Sequence, residues 1–169
     1  MSSYEHLLHN ITAPNDRSEM YQELTQALNL MISEHDNPIS SLCNAVATIH
    51  TALRPLWTGI YRVKGEELVL YPFQGPAACV SIPYGKGVCG LAWAKGETIV
   101  VPNVNEFSGH IACSSLSQSE IVVPIIHDNS VLGVIDIDSE TLNAFAPHDK
   151  LGLEACAMVL AQKVDWEKI

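Results

Sequence analysis

The hydrophobic repeat of the chain changes once, near Trp57, and this change most restricts the folds that the sequence can adopt. Before it, apolar residues recur at helical spacing in two segments, which begin near Asp16 and at Asn37-Pro38. After it, short runs rich in Val and Ile alternate with turn residues, as strands do. Pro147 then opens a final helical segment.

The strand-like part predicts an antiparallel sheet. Lys64-Gly65-Glu66 and His127-Asp128-Asn129-Ser130 each separate two strand-like runs and predict hairpins. Residues 87–95 predict a short helix between the strand-like runs 78–82 and 98–101. This order of elements favours an α+β fold, in which helices flank a single central antiparallel sheet.

Length and charge limit the function classes. The 169 residues suit one domain, and we expect an N-terminal arm at residues 1–17 and a single domain at 18–169. The formal charge of −10 argues against nucleic acid and anionic membrane as partners, because both attract basic surfaces. No apolar run approaches the roughly 20 residues of a membrane span, and the N-terminus does not resemble a secretion signal. We therefore expect a cytoplasmic protein.

Three of the five cysteines lie in segments that suggest chemistry. Cys79 opens a short strand-like run, Cys89 follows a glycine-rich stretch, and Cys113 lies in segment 102–118. That segment has no clear element and is longer than about 12–15 residues. Structureless loops of such length are uncommon and are typically lids or binding loops. Because a thiolate is the nucleophilic form of cysteine, the pattern indicates a candidate redox enzyme.

Other residues with helical spacing are predicted to belong to the core. Free cysteine is among the most buried residue types, so Cys43 and Cys156 are interpreted as core residues of their helices. The residues of the final helix that we expect to face inward are Leu151, Ala155, Met158 and Ala161.

A zinc site is an alternative interpretation of the cysteines. Structural zinc sites usually show pairs such as C-x2–4-C, and no such pair occurs among Cys79, Cys89 and Cys113. His110 and His127 would have to join a dispersed site that no local spacing supports. We expect neither a bound metal nor a cofactor.

Acidic and aromatic residues on the predicted strands suggest a pocket. Asp136 and Asp138 are two residues apart on one strand and share a face, and Glu120 precedes an apolar run in the same way. Either these acids are solvated at strand ends, or they are buried and bind a cationic group; the sequence favours neither. Trp57 and Tyr61 also share a face, as core residues or as a pocket wall.

Several segments together resemble the free methionine-(R)-sulfoxide reductases, which are built on a GAF domain. The resemblance runs from about Trp57 to the C-terminal helix. The matching segments are Cys79-Val80-Ser81-Ile82-Pro83, Gly85-Lys86-Gly87-Val88-Cys89-Gly90, Gly109-His110-Ile111-Ala112-Cys113, Ser119-Glu120-Ile121-Val122-Val123-Pro124 and Gly133-Val134-Ile135-Asp136-Ile137-Asp138-Ser139.

The resemblance implies roles for the cysteines. Cys113 would be the nucleophile, Cys79 the resolving thiol, and Cys89 a second thiol near the site. The family commonly places an acid directly after the nucleophile, and this chain has Ser114 instead. A thioredoxin-type dithiol would restore the oxidised enzyme by exchange.

The resemblance also implies the substrate site. Glu120, Asp136 and Asp138 would hold the substrate ammonium and the sulfoxide oxygen, while Trp57 and Tyr61 line the pocket. A carboxyl kept protonated by burial can donate a proton to the leaving oxygen, and Asp138 is our candidate. The sequence thus predicts a reductase of free methionine (R)-sulfoxide. A non-catalytic GAF sensor of a small molecule is the alternative, and a homodimer remains open.

Overall fold

The computed structural model describes residue 11 and residues 16–111 and 114–169. Within these ranges the helices are α1 (Arg17–Met31), α2 (Pro38–Leu53), α3 (Gly87–Lys95) and α4 (Pro147–Lys163). The strands are β1 (Trp57–Lys64), β2 (Glu67–Gln74), β3 (Ser81–Pro83), β4 (Ile99–Val101), β5 (Ser119–His127) and β6 (Ser130–Ser139). Short 3₁₀ turns occupy Val104–Glu106 and Trp166–Lys168. The predicted α+β class is confirmed.

The six strands form one antiparallel sheet in the order β3-β2-β1-β6-β5-β4. Both predicted hairpins are present. Gly65 has a positive φ of 61° between β1 and β2. Asp128 and Asn129, with φ of 48° and 61°, join β5 to β6, and two positive φ values in succession match the twist that a tight hairpin requires.

The two faces of the sheet support two separate apolar clusters. On one face, strand residues such as Ile60, Ile121 and Ile135 pack with residues of α1, α2 and α4 to form the main core. On the other face, Trp57, Tyr61, Val122 and Val134 pack with residues of α3 to form a smaller cluster. Because side chains alternate along a strand, β6 contributes isoleucines to the first face and aspartates to the second.

Caps fix where the helices begin. Asp16 accepts a hydrogen bond from the Ser18 amide at the start of α1, and Asn37 accepts one from Ser40 at the start of α2, where Pro38 is the first helical residue. These starts confirm the two predicted helix N-termini.

A buried carboxylate ties the first helix to the last. Asp149 accepts hydrogen bonds from Arg17 Nε at 2.9 Å and from the Tyr21 hydroxyl at 2.8 Å. Its second oxygen accepts from the Ala146 amide at 2.7 Å and so caps α4. Gly152 packs beneath Tyr21, where a Cβ would lie only 2.1 Å from the ring.

The predicted inward face of α4 is wrong in part. Leu151 is 67% exposed and Met158 is 61% exposed, although Ala161 is buried. The helix is rotated so that Leu153, Cys156 and Leu160 face the core. Tyr21 causes this rotation, because its ring occupies the surface of Gly152.

The prediction for one helical cysteine is also wrong. Cys156 is buried as expected, but Cys43 is exposed. The buried stripe of α2 runs through Leu42, Val46 and Ile49, and Cys43 follows Leu42 by one position, about 100° further round the helix.

Two smaller differences concern the loops. Strand β3 begins at Ser81, so Cys79 precedes the strand that it was expected to open. The segment 102–118 was expected to lack structure, but it contains the 3₁₀ turn Val104–Glu106.

None of the described helices is long and apolar enough to cross a membrane. The division at residue 17 remains a prediction, although Ile11 is buried in the main core.

Candidate active site

A pocket opens on the face of the sheet that α3 covers. It contains about 550 Å³ of space free of protein atoms, part of it open to solvent. Its walls come from the sheet face, the start of α3, the loop before β3 and the segment 102–118. The described lining residues that matter most are Trp57, Tyr61, Cys89, His110, Ile111, Ser114, Ser117, Glu120, Asp136 and Asp138.

Strand register brings the three predicted carboxyls together. Asp138 on β6 lies opposite Trp57 of β1 on one side and Glu120 of β5 on the other. Glu120 and Asp136 are only 5% and 7% exposed, while Asp138 is half-buried. The structure therefore excludes solvation at strand ends for Glu120 and Asp136, which are buried in the pocket, while their binding of a cationic group stays a prediction.

Burial and mutual repulsion favour the protonated forms of these groups. Burial, and next the charge of Asp138, raise the pKa of both Asp136 and Glu120 well above the usual range. Burial also raises the pKa of Asp138, but a hydrogen bond from Ser117 and the nearby His110 oppose that rise. No lysine or arginine is among the described residues that line the pocket.

The polar contacts of the carboxyls are unequal. The Ser117 hydroxyl donates to Asp138 Oδ1, and His110 Nε2 lies 3.3 Å from Glu120 Oε2. Asp136 Oδ1, in contrast, is buried without a hydrogen-bond partner in the described structure. Buried acceptors are usually paired, so an unpaired one at a pocket wall indicates a place for a donor or a cation from outside.

Trp57 and Tyr61 form one wall of the pocket. Their ring centroids are 6.0 Å apart, and Trp57 also stacks on Phe73 at 5.6 Å. The Trp57 indole donates to the Pro76 carbonyl at 3.0 Å. Its ring lies across Gly59, where an added Cβ would be 2.1 Å from the ring. The absence of a side chain at Gly59 thus sets the position of the tryptophan.

Two of the three predicted active-site cysteines lie in the described structure. Cys89, near the start of α3, is a buried free thiol. Burial raises its pKa well above the usual value, and Asp136 raises it further. Cys79 is disulfide-bonded, and its carbonyl accepts from the Tyr61 hydroxyl at 2.9 Å. Cys113 lies outside the described residues, but Ile111 and Ser114 near it in sequence both line the pocket.

The chain is similar to known proteins over most of its length. The family model for the GAF domain matches residues 37–164. The free methionine-R-sulfoxide reductase of Saccharomyces cerevisiae is 38% identical, with 94% of each chain covered. That of Escherichia coli is 39% identical over 82% of this chain and 84% of the relative.

The chain belongs to the free methionine-(R)-sulfoxide reductase family.

A solved structure supports the same assignment. The free methionine-R-sulfoxide reductase of Neisseria meningitidis, solved in complex with its substrate, superposes with a TM-score of 0.88. It is 42% identical, with 92% of this chain and 95% of that chain covered. The predicted family and fold are confirmed.

Sequence reasoning missed three residues that shape the site. His110 was considered only as a metal ligand, although it lies in a segment that resembles the family. Ser117, which holds Asp138, comes from a loop with no periodic signal. Gly59 had a usable signal, since a glycine inside a strand often marks the close approach of another group.

The site also brings three possible metal ligands close together. Cys89, Glu120 and Asp136 each offer one ligand atom, and these atoms all lie within 4.8 Å of one another. The sequence showed no local ligand spacing, because the three residues lie on three different elements.

Proposed function

We propose that this protein reduces free methionine (R)-sulfoxide to methionine. The observation that carries the proposal is the cluster of buried carboxyls Glu120 and Asp136 with Asp138, in a pocket whose described lining has no lysine or arginine. Such a cluster suits an α-ammonium group. The facing rings of Trp57 and Tyr61 suit the apolar part of a methionine side chain.

The chemistry needs a thiol and a proton. The Cys113 thiolate attacks the sulfoxide sulfur, and the oxygen is transferred to cysteine, which becomes a sulfenic acid while methionine leaves. The substrate gains two electrons and the cysteine loses them. A carboxyl, with Asp138 as the candidate and Glu120 as the alternative, supplies the proton that makes the oxygen a better leaving group.

A second thiol then completes the oxidative half of the cycle. The Cys79 thiol displaces water from the sulfenic acid and forms a disulfide with Cys113. The bonded state of Cys79 and the free thiol of Cys89 support this choice. The raised pKa of Cys89 makes it a weak nucleophile at neutral pH. An external dithiol of the thioredoxin type returns the enzyme to its reduced form by exchange.

Turnover tests the function directly. With thioredoxin and its recycling system, the protein should consume one epimer of racemic free methionine sulfoxide and leave the other. It should not act on N-acetylmethionine sulfoxide, because an amide cannot replace the ammonium that the carboxyls bind. Sites built to pair a polar group discriminate against analogues that lack it by a factor of up to about 10⁴–10⁵ in kcat/KM.

The outcomes distinguish the proposal from its alternative. Comparable kcat/KM for the free and N-acetylated compounds would contradict the closed ammonium site. No consumption of either epimer, together with tight binding of a small molecule, would favour the GAF sensor.

The roles of the cysteines have a separate test. Cys113→Ser should abolish turnover, and one turnover without reductant should leave a Cys79–Cys113 disulfide in a non-reducing peptide map. Cys43→Ser is the matched control, because Cys43 is exposed on α2 and away from the pocket. A bridge that contains Cys89 would mean that the resolving thiol is assigned incorrectly.

A further inference from the structure

Three side chains of the pocket, Cys89, Glu120 and Asp136, form a group that could hold a metal ion, which the reductase chemistry does not require. Cys89 projects from α3, Glu120 from β5 and Asp136 from β6, and all three are buried. Their ligand atoms lie within 4.8 Å of one another. Two ligands of one tetrahedral zinc ion are roughly 3.5 Å apart, so a small inward movement brings all three into range.

A second observation indicates that a cation fits here. Asp136 is more than nine-tenths buried, and its Oδ1 has no hydrogen-bond partner in the described structure. The described lining offers no lysine or arginine to compensate this oxygen. His110 Nε2, 3.3 Å from Glu120, provides a nitrogen donor beside the group. A divalent cation would pair the unpartnered oxygen and the neighbouring carboxylate together.

The donor set selects the kind of metal. Carboxylates alone suit Mg²⁺ or Ca²⁺, but a thiolate sulfur selects softer ions such as Zn²⁺. Binding through Cys89 replaces the thiol proton with the metal. Glu120 and Asp136 likewise bind in their deprotonated forms, and the displaced protons pass to solvent. Zinc with three protein ligands keeps a fourth position for water or another ligand.

We propose that Cys89, Glu120 and Asp136 bind Zn²⁺ when the protein is reduced, and that the bound ion excludes the substrate ammonium from the same carboxyls. The first half, the binding of Zn²⁺, depends on the geometry of the pocket alone. The second half rests on the proposed function, because it requires the pocket to be the substrate site. The two halves therefore need separate measurements.

Binding is measured on the full chain without turnover. Reduced Cys113→Ser protein, in which the predicted nucleophile offers no thiolate, competes with a chromophoric chelator for Zn²⁺. We expect one tight site, and Cd²⁺ in its place should give a thiolate-to-metal charge-transfer band. In this background Cys89→Ser and Asp136→Asn should each weaken binding at least about 10²-fold, since even losing an outer partner of a metal ligand costs 10–100-fold.

Matched variants identify binding by other thiols. Cys79→Ser and Cys43→Ser in the same background should retain the site. If either of these removes it, or if Cys89→Ser and Asp136→Asn leave it unchanged, the assignment is wrong. Circular dichroism establishes folding, and Asp136→Asn, which keeps the side-chain shape, decides the question should Cys89→Ser not fold.

Inhibition tests the second half on the unmodified chain. Zn²⁺ should raise the apparent KM for free methionine (R)-sulfoxide without changing kcat, and Mg²⁺ at the same concentration should have no effect. Inhibition that lowers kcat alone, or no inhibition despite confirmed binding, would overturn the exclusion of substrate. If the protein shows no reductase activity, the zinc titration still tests the site by itself.

Discussion

The contact between Gly59 and Trp57 gives the most direct test of the pocket. In Gly59→Ala the new Cβ would lie 2.1 Å from Cη2, 2.6 Å from Cζ3 and 2.8 Å from Cζ2 of the Trp57 ring. Ordinary contacts begin near 3.4 Å, so the ring must move by more than about 1 Å. It cannot do so freely, because Phe73 stacks on it and the Pro76 carbonyl accepts its N–H.

The size of the effect follows from that displacement. A misplacement of about 1 Å in a substrate-positioning group can cost about 10²-fold in rate. We therefore expect Gly59→Ala to lower kcat/KM for free methionine (R)-sulfoxide by about 10²-fold. The measurement is steady-state kinetics with the thioredoxin recycling system, and circular dichroism shows whether the fold is kept.

A double-mutant cycle with Trp57→Ala separates this explanation from general damage. If the alanine acts by pushing the ring, Gly59→Ala should cost little more once the ring is absent. Gly65→Ala is the control for backbone strain, because its positive φ makes alanine unfavourable there while nothing lies within 4 Å of the new Cβ. It should lower stability and leave kcat/KM unchanged. An equal loss from Gly59→Ala in both backgrounds would refute the reasoning.

Two further predictions concern the carboxyls. Asp138→Asn should slow sulfenic acid formation in a single turnover by about 10²–10⁴-fold. An unchanged rate would assign the role of proton donor to Glu120 instead, and Glu120→Gln should then show the loss. Asp136→Asn should raise the free energy of unfolding at pH 7 by about 0.5–2 kcal/mol. Because the folded state raises the pKa of Asp136, the unfolded chain loses this proton first, and the cost of burying the acid grows as pH rises above about 4. Denaturant unfolding should therefore show the gain shrinking toward pH 4, and a gain independent of pH would exclude this cause.

Local signals made much of the fold predictable. The hairpin turns and the caps at Asp16 and Asn37 depend on residues close in sequence, and all of them lie where they were expected. The prediction of which face of α4 points inward was wrong, because Leu151 and Met158 make the outer face of the helix almost as apolar as its inner face. Periodicity cannot choose between two apolar faces, and here a tertiary contact with Tyr21 chooses.

The candidate site was predictable only to the level of a strand face. The two-residue spacing of Asp136 and Asp138 places them on one side of β6, but their depth depends on what covers that side. Glu120 joins them only through the pairing of β5 with β6, which sequence spacing does not specify. His110 contacts Glu120 from a loop. The path of that loop depends on tertiary contacts around the pocket, which local sequence does not specify.

The shared strands explain how the domain tolerates acids in its interior. On β6, Ile135 and Ile137 enter the main core while Asp136 and Asp138 face the pocket, so each buried acid is flanked by residues packed on the opposite side. The helices α1, α2 and α4 cover only the apolar face. Apolar burial there is worth roughly 25 cal/mol per Å² and can offset the desolvation of the carboxyls. The strand cannot slip by one residue to expose its acids, because the slip would move its isoleucines out of the core. The packing of one face thus fixes the position of the chemistry on the other.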